Sequence, residues 1–252
     1  MQKKFKYNEN FFNPIKYRTE TLENSKKYVK CANKITQGQV KYYSYHKVNL
    51  DGKPNWFLNP FNNQVVKNNN DHWTKINDFN FKIGDIKNIW EASRFNWIGT
   101  LAFAYLSTKD EKYLTVINHW VNDWKIKNPI NTGPNWKCGQ EASIRLLNVF
   151  LADDVINSKE INSSLAEFYV EHLNRILLTT FYAKAQNNNH AISEGVALYL
   201  IGNHLKGKID RYKYDRYVNK GLTLIENCVA KSILADGTFS QYSIVYHRMI
   251  ID

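Results

Sequence analysis

Apolar residues recur every three to four positions from about residue 85 onward, the period of a helix that buries one face. Ile86, Ile89, Trp90 and Trp97 open a first stretch that runs on through Leu101, Ala102, Phe103, Ala104, Tyr105 and Leu106, predicting one helix. Asp110 is placed to cap a second, which carries Leu114, Ile117, Val121 and Trp124 and stops at Pro129. A third runs through Ala142, Leu146, Val149 and Phe150. Three more are expected over about 163–185, 190–205 and 215–234. The connections are short and no alternating strand pattern is convincing. Consecutive helices of similar length joined by short loops imply antiparallel hairpins. The predicted class is all-α, either a bundle or a curved α/α array; periodicity does not choose between them.

Residues 1–80 read differently. They are rich in Asn, Lys, Tyr and turn formers, with breakers at Gly52-Lys53-Pro54-Asn55 and Asn59-Pro60. The expected organisation is an irregular, short-helix segment over 1–80, packed on a helical domain over 81–252.

Composition narrows the function classes. The chain has 252 residues, long enough for one sizeable core, and 14% aromatics, most of them expected to fill that core and others free to line a groove that stacks on a ligand. Lys and Arg exceed Asp and Glu by 34 to 23, a formal charge of +11 that favours an anionic polymer or reflects a Lys-rich solvated surface. No concentrated basic run or nucleic-acid motif occurs, so nucleic acid is not the expected partner. Cys31, Cys138 and Cys228 are odd in number and lack CxxC spacing, which predicts neither zinc nor a disulfide framework. No apolar span of membrane length and no signal peptide is visible. The chain is expected to be cytoplasmic as written, or periplasmic or secreted if a leader has been removed. GxGxxG, GxxxxGK[ST] and HExxH are absent, and no cofactor or metal is expected.

The chemistry concentrates where loops meet helices. In NTGPNWKCGQEASIRLLN (131–148), Pro134 and Gly133 force a loop, and Asn135 and Trp136 precede a helix starting near Gly139. Glu141 and Arg145 lie four apart on one face, either as a surface ion pair or with Arg145 and Gln140 turned to a cleft beside Trp136. In NNNHAISEG (187–195) the Asn run suits a helix cap, and the Asn189 amide at a helix N-terminus can meet an anionic oxygen. His190 and Glu194 share a face; two ligands do not make a metal site, and a hydrogen-bonded pair is the plainer reading. ADGTFSQYSIVYHR (235–248) gathers Gln241, Tyr242, Tyr246, His247 and Arg248.

Four motifs, in this order, resemble the N-terminal domain of heparinase II/III-type lyases: IWEASRFNW, then NP-x₃-G-x-NW-x₃-QEASIRLLN, then NNH-x₃-E, then DG-x-FSQYS-x₂-YHR. The resemblance covers about 85–252. It implies an incomplete (α/α) toroid, followed in the family by an antiparallel β-sandwich, with the active site in the cleft between them. It further implies that Asn189, with His190 beside it, neutralises a uronate carboxylate, and that Tyr246 is general base and acid. A His from the β-sandwich would complete the site. Because the chain stops at Asp252, after an apolar run with no helix stop signal, it is expected to be a fragment lacking that domain.

The activity so implied is cleavage of a uronic-acid-containing acidic polysaccharide by β-elimination. Trp90, Trp97, Trp136 and Tyr242 are candidates for sugar stacking, with Asn135, Gln140, Gln241, His247 and Glu194 beside them. Arg94, Arg145 and Arg248 could meet carboxylate or sulfate bidentately. Two alternatives stay open: a non-catalytic acidic-carbohydrate-binding remnant, and a toroid glycoside hydrolase, which needs two carboxylates flanking the bond.

Overall fold

The computed structural model describes residues 11–12, 25–67, 70–156, 161–186, 188–206, 208, 214–240 and 243. The described chain is all-α in its main elements: α1 (Ser25–Thr36), α2 (Lys87–Ser93), α3 (Ile98–Thr108), α4 (Glu111–Lys127), α5 (Gly139–Ile156), α6 (Ser163–Gln186), α7 (His190–Lys206) and α8 (Tyr214–Ser232). Three antiparallel pairs of short strands occupy the segment between α1 and α2. They are β1 (Gln39–Tyr42) with β2 (His46–Asn49), β3 (Leu58–Asn59) with β4 (Gln64–Val65), and β5 (Phe79–Asn80) with β6 (Gly84–Asp85). Strands of two to four residues carry too little alternation to stand out in the sequence.

The chain divides into two compact units. The first comprises Met1–Lys67, Asn77–Pro129 and Asn148–Phe168; the second comprises Asn68–Ile76, Ile130–Leu147 and Tyr169–Asp252.

The first unit is organised around a ladder of aromatic rings. Phe95 lies 5.9 Å from Trp56, 5.3 Å from Trp97 and 5.6 Å from Trp124. Trp97 continues to Trp120 at 4.9 Å, and Trp124 to Phe168 at 5.9 Å. These rings are buried, and their edge-on and tilted arrangements are the favoured ones for aromatic quadrupoles. This ladder breaks the single helix expected from Ile86 to Leu106. Phe95 takes a left-handed φ of 61° and turns into the core, so the chain forms α2 and α3 with a corner between them. Burying a whole Phe outweighs the local cost of that backbone conformation. α4 starts as its sequence predicts: the Asp110 side chain accepts from the Lys112 N–H at 3.1 Å, and Lys125 and Lys127 lie in the last turn, at the negative end of the helix dipole.

The second unit contains an antiparallel helix pair, α7 with α8, packed backbone to backbone. Gly195 faces Gly221 and Leu224, while Gly202 faces Tyr217 and Val218. A Cβ placed on Gly221 would lie 2.6 Å from both the Gly195 carbonyl oxygen and the Tyr199 nitrogen. Only hydrogen fits there, so the glycines set how closely the helices approach. This hairpin is the building element of an (α/α) toroid, the fold class to which the chain conforms.

Candidate active site

The candidate site of the second unit grows out of the loop before α5. Asn131 and Gly133 take left-handed φ values of 62° and 74°, which fold the chain back on itself. The Gly133 N–H donates to the Asp71 carbonyl at 2.8 Å, and the Trp73 N–H to the Asn131 carbonyl at 3.0 Å. A 3₁₀ turn, Pro134–Trp136, then drives Asn135 and Trp136 inward; both are fully buried.

Two buried arginines clamp this turn. Arg145 on α5 donates from Nε to His172 Nε2 at 2.9 Å and from Nη2 to the Asn135 carbonyl at 3.1 Å. Arg175 on α6 donates from Nε to the Trp136 carbonyl at 2.7 Å, from Nη2 to the Lys137 carbonyl at 2.6 Å, and from Nη1 to Thr179 Oγ1 at 2.9 Å. Its guanidinium also stacks over Trp73, 4.0 Å from the ring centroid. Planar guanidinium forks suit this task because one side chain satisfies several buried carbonyls at once. Accepting from Arg145 requires His172 Nε2 to be unprotonated, with the ring proton on Nδ1. Burial pushes Arg145 down to about 9, opposed by the nearby Glu141 carboxylate, and Arg175 down to about 10. Both remain cations at neutral pH.

Glu194, on α7, enters the same network. It is buried, and its Oε1 lies so close to Gly139 that a Cβ there would sit 2.5 Å away. Its Oε2 has no hydrogen-bond partner among the described residues. Burial raises its carboxyl to about 8, with Arg175 opposing, so it holds its proton at neutral pH. Cys138 beside it is pushed up to about 11, chiefly by burial, which makes it a poor nucleophile.

Asn189 and His190 begin the helix that carries Glu194. Asn189 is buried, with its carbonyl accepting from the Ser193 N–H and Oγ, both at 3.2 Å. The Asn188 Oδ1 accepts from the His190 N–H at 3.0 Å. His190 and Gln140 are half-buried.

The structure therefore brings Asn135, Trp136, Arg145 and Glu194 into one network, and ties the helix bearing Asn189 and His190 to the start of α5 through Glu194. The Trp136 ring is already engaged within the fold: it lies 4.6 Å from that of His172 and 5.4 Å from the Arg145 guanidinium. Glu141 and Arg145, read as a possible surface pair, are both buried, and Arg145 is drawn inward to the Asn135 carbonyl and His172.

Trp90, Arg94 and Trp97 belong to the first unit. Trp90 and Trp97 are buried, Trp97 within the aromatic ladder. Arg94 pairs with the buried Glu91, which also accepts from the Tyr43 N–H at 2.7 Å. Gln241, Tyr242, Tyr246, His247 and Arg248 lie outside the described residues. The residues that sequence reasoning passed over are His172, Arg175 and Thr179. Their spacing of three and four puts them on one face of α6, a polar stripe that was a usable signal.

Comparison with known proteins identifies the family of the chain. A family model described as Heparinase II/III N-terminus matches residues 6–252. A heparin-sulfate lyase from Pedobacter heparinus is 25% identical over 189 residues, which is 69% of this chain and 27% of that protein. Among solved structures, a heparan sulfate lyase mutant from Pedobacter heparinus superposes with a TM-score of 0.58 at 20% identity, covering 96% of this chain and 35% of that one. A heparinase III with methylated lysines superposes with a TM-score of 0.63 at 17% identity, covering 94% and 37%. The chain thus spans about a third or less of the length of these relatives. The structural likeness establishes the helical fold, and the sequence match over nearly the whole chain establishes kinship: this protein belongs to the Heparinase II/III N-terminus family.

Proposed function

We propose that this chain is the helical part of a polysaccharide lyase that cleaves a uronic-acid-containing acidic polysaccharide by β-elimination. The observation that carries the reading is the family match over residues 6–252, which spans both the Asn189-His190 pair and the Tyr246-His247-Arg248 run.

The chemistry follows from the substrate. The C5 proton of a uronate is weakly acidic because the neighbouring carboxylate is already negative, and removing the proton adds further charge. A donor fixed beside that carboxylate lowers the barrier by stabilising charge as it develops. The Asn189 amide, at the positive end of the 17-residue helix α7, is assigned this role, with His190 beside it. Tyr246, as phenolate, takes the C5 proton; the C4–O bond breaks, C4=C5 forms, and the same phenol protonates the departing oxygen. His247 and Arg248 are the cations nearest in sequence to favour the phenolate, whose ordinary pKa is about 10. A His from the remainder of the longer protein, expected to carry a β-sandwich, would complete the site. The +11 charge suits an anionic polymer.

The test is the near-ultraviolet absorbance of an unsaturated uronate product, measured on the full-length gene product with heparan-type, alginate-type and capsular uronate polymers. Tyr246→Phe should lower kcat by about 10³-fold or more with its circular dichroism unchanged. Full activity in that variant would remove Tyr246 from the mechanism. Tight polymer binding without any product in the parent protein would favour a binding remnant.

A further inference from the structure

The first unit presents four large aromatic side chains to solvent on three linked hairpins: Tyr45 (74% exposed), Phe61 (46%) and Phe81 (99%) in the turns and Phe79 (59%) on β5. Single exposed apolar residues are ordinary, whereas a cluster marks a binding surface. The tips are tied together. Asn62 Nδ2 donates to the Lys82 carbonyl at 3.1 Å and Asn59 Nδ2 to the Ile83 carbonyl at 2.6 Å, joining the β3–β4 turn to the β5–β6 turn. Phe61 packs on His46, with ring centroids 4.6 Å apart, and on Tyr43 at 5.8 Å, joining it to the β1–β2 turn. Phe79 and Phe81 meet edge to face at 5.6 Å.

The turns are also locked from within. Asn59 Oδ1 accepts from the Phe61 N–H at 2.9 Å, and Asn80 Oδ1 from the Lys82 and Ile83 N–H groups at 2.9 and 3.2 Å. Tyr43 is anchored by Glu91 at its N–H and by the Lys87 carbonyl and Asn88 Oδ1 at its hydroxyl. A platform fixed in this way loses little conformational freedom on binding. Lys41 and Lys47 are exposed on the β1–β2 hairpin and Lys82 in the β5–β6 turn. Of the acids nearby, Asp85 is engaged by Lys87 through both its backbone N–H and its ammonium group, and Glu91 by Tyr43 and Arg94, while Asp51 and Asp78 flank the hairpins.

We infer that this hairpin platform is a second saccharide-binding surface, which holds a stretch of acidic polysaccharide by stacking sugar rings on Phe61, Phe79 and Phe81 while Lys82, next to Phe81 in the same turn, meets its carboxylate or sulfate groups. Exposed ring faces beside ammonium groups complement a ligand that alternates apolar ring faces with fixed anions. A purely apolar partner would gain nothing from the lysines. None of these residues is assigned to elimination. The inference rests on the proposed function only for the class of polymer.

The experiment is a titration of the chain with a heparin dodecasaccharide and, as a control, neutral dextran. It compares the parent with Phe79→Ala/Phe81→Ala and with Lys82→Ala. The double variant should bind the dodecasaccharide about tenfold or more weakly, with an unchanged melting temperature, since its rings bury little in the fold. Lys82→Ala should weaken binding less and flatten its salt dependence. Dextran should not bind. Parent-like affinity in the double variant overturns the proposal. So does a parent dimer, seen by sedimentation, that the double variant dissolves, which would assign the platform to self-association. Phe79- and Phe81-dependent binding, together with no unsaturated product from the full-length protein, would sink the lyase reading and leave this one standing.

Discussion

Glu194 illustrates how a residue can be visible in a sequence while its state is not. Its spacing from His190 places both on one helix face, which the sequence shows. That its carboxyl is buried against Gly139, facing Arg175 and Cys138, depends on a contact between α7 and the start of α5 that no local pattern encodes. The consequence is measurable. An unfolded Glu titrates near 4.5, whereas the folded one keeps its proton to about 8. Between those values the folded state binds the extra proton, so this residue's contribution to stability is full below 4.5 and is lost as pH rises through 8. Urea denaturation from pH 5 to 8.5 should show stability falling with pH by up to about 1.4 kcal/mol per unit, and Glu194→Gln should remove most of that slope. An identical slope in the variant would mean that Glu194 is ionised in the fold.

The arginines make the same point with the opposite sign. Arg145 invites a reading as a ligand-binding cation, yet its fork is taken up by His172 and the Asn135 carbonyl. Arg145→Lys keeps the charge and loses the geometry. It should cost about 2–4 kcal/mol in urea unfolding, because a point charge cannot satisfy both partners. A change below about 0.5 kcal/mol would place Arg145 at the surface instead.

At the scale of elements, most helices were legible because burial of one face imposes a 3.6-residue period and because caps are chemical. Asp110 and Pro129 bound α4 as expected, and α6, α7 and α8 begin or end within a residue or two of the predicted limits. The exception is the corner at Phe95, where a whole-unit aromatic core overrides local preference. The short hairpins over residues 39–85 were also missed, because side-chain amides and turn geometry fix them more than strand pattern does. Helix packing gives its own prediction. Gly221→Ala would force a methyl to 2.6 Å from backbone atoms of α7, which cannot rotate away. The α7–α8 pair must spread, at about 1–3 kcal/mol. A melting temperature unchanged from the parent would show that the helices lie farther apart.

At the scale of the whole molecule, fold class and family were readable because four motifs keep their order along the chain, which composition and charge alone would not have established. The substrate was not readable. A +11 charge fits many polyanions, and the chain spans about a third or less of its relatives' length. The central claim concerns how the glycosidic bond breaks, and the masses of the products decide it. Elimination adds no water, so the two products must sum to the substrate mass, with one carrying an unsaturated uronate a water lighter than its saturated counterpart. Mass spectrometry of a size-defined uronate oligosaccharide digested by the full-length protein should show that pair. Two saturated products summing to substrate plus one water would contradict the account and establish a hydrolase.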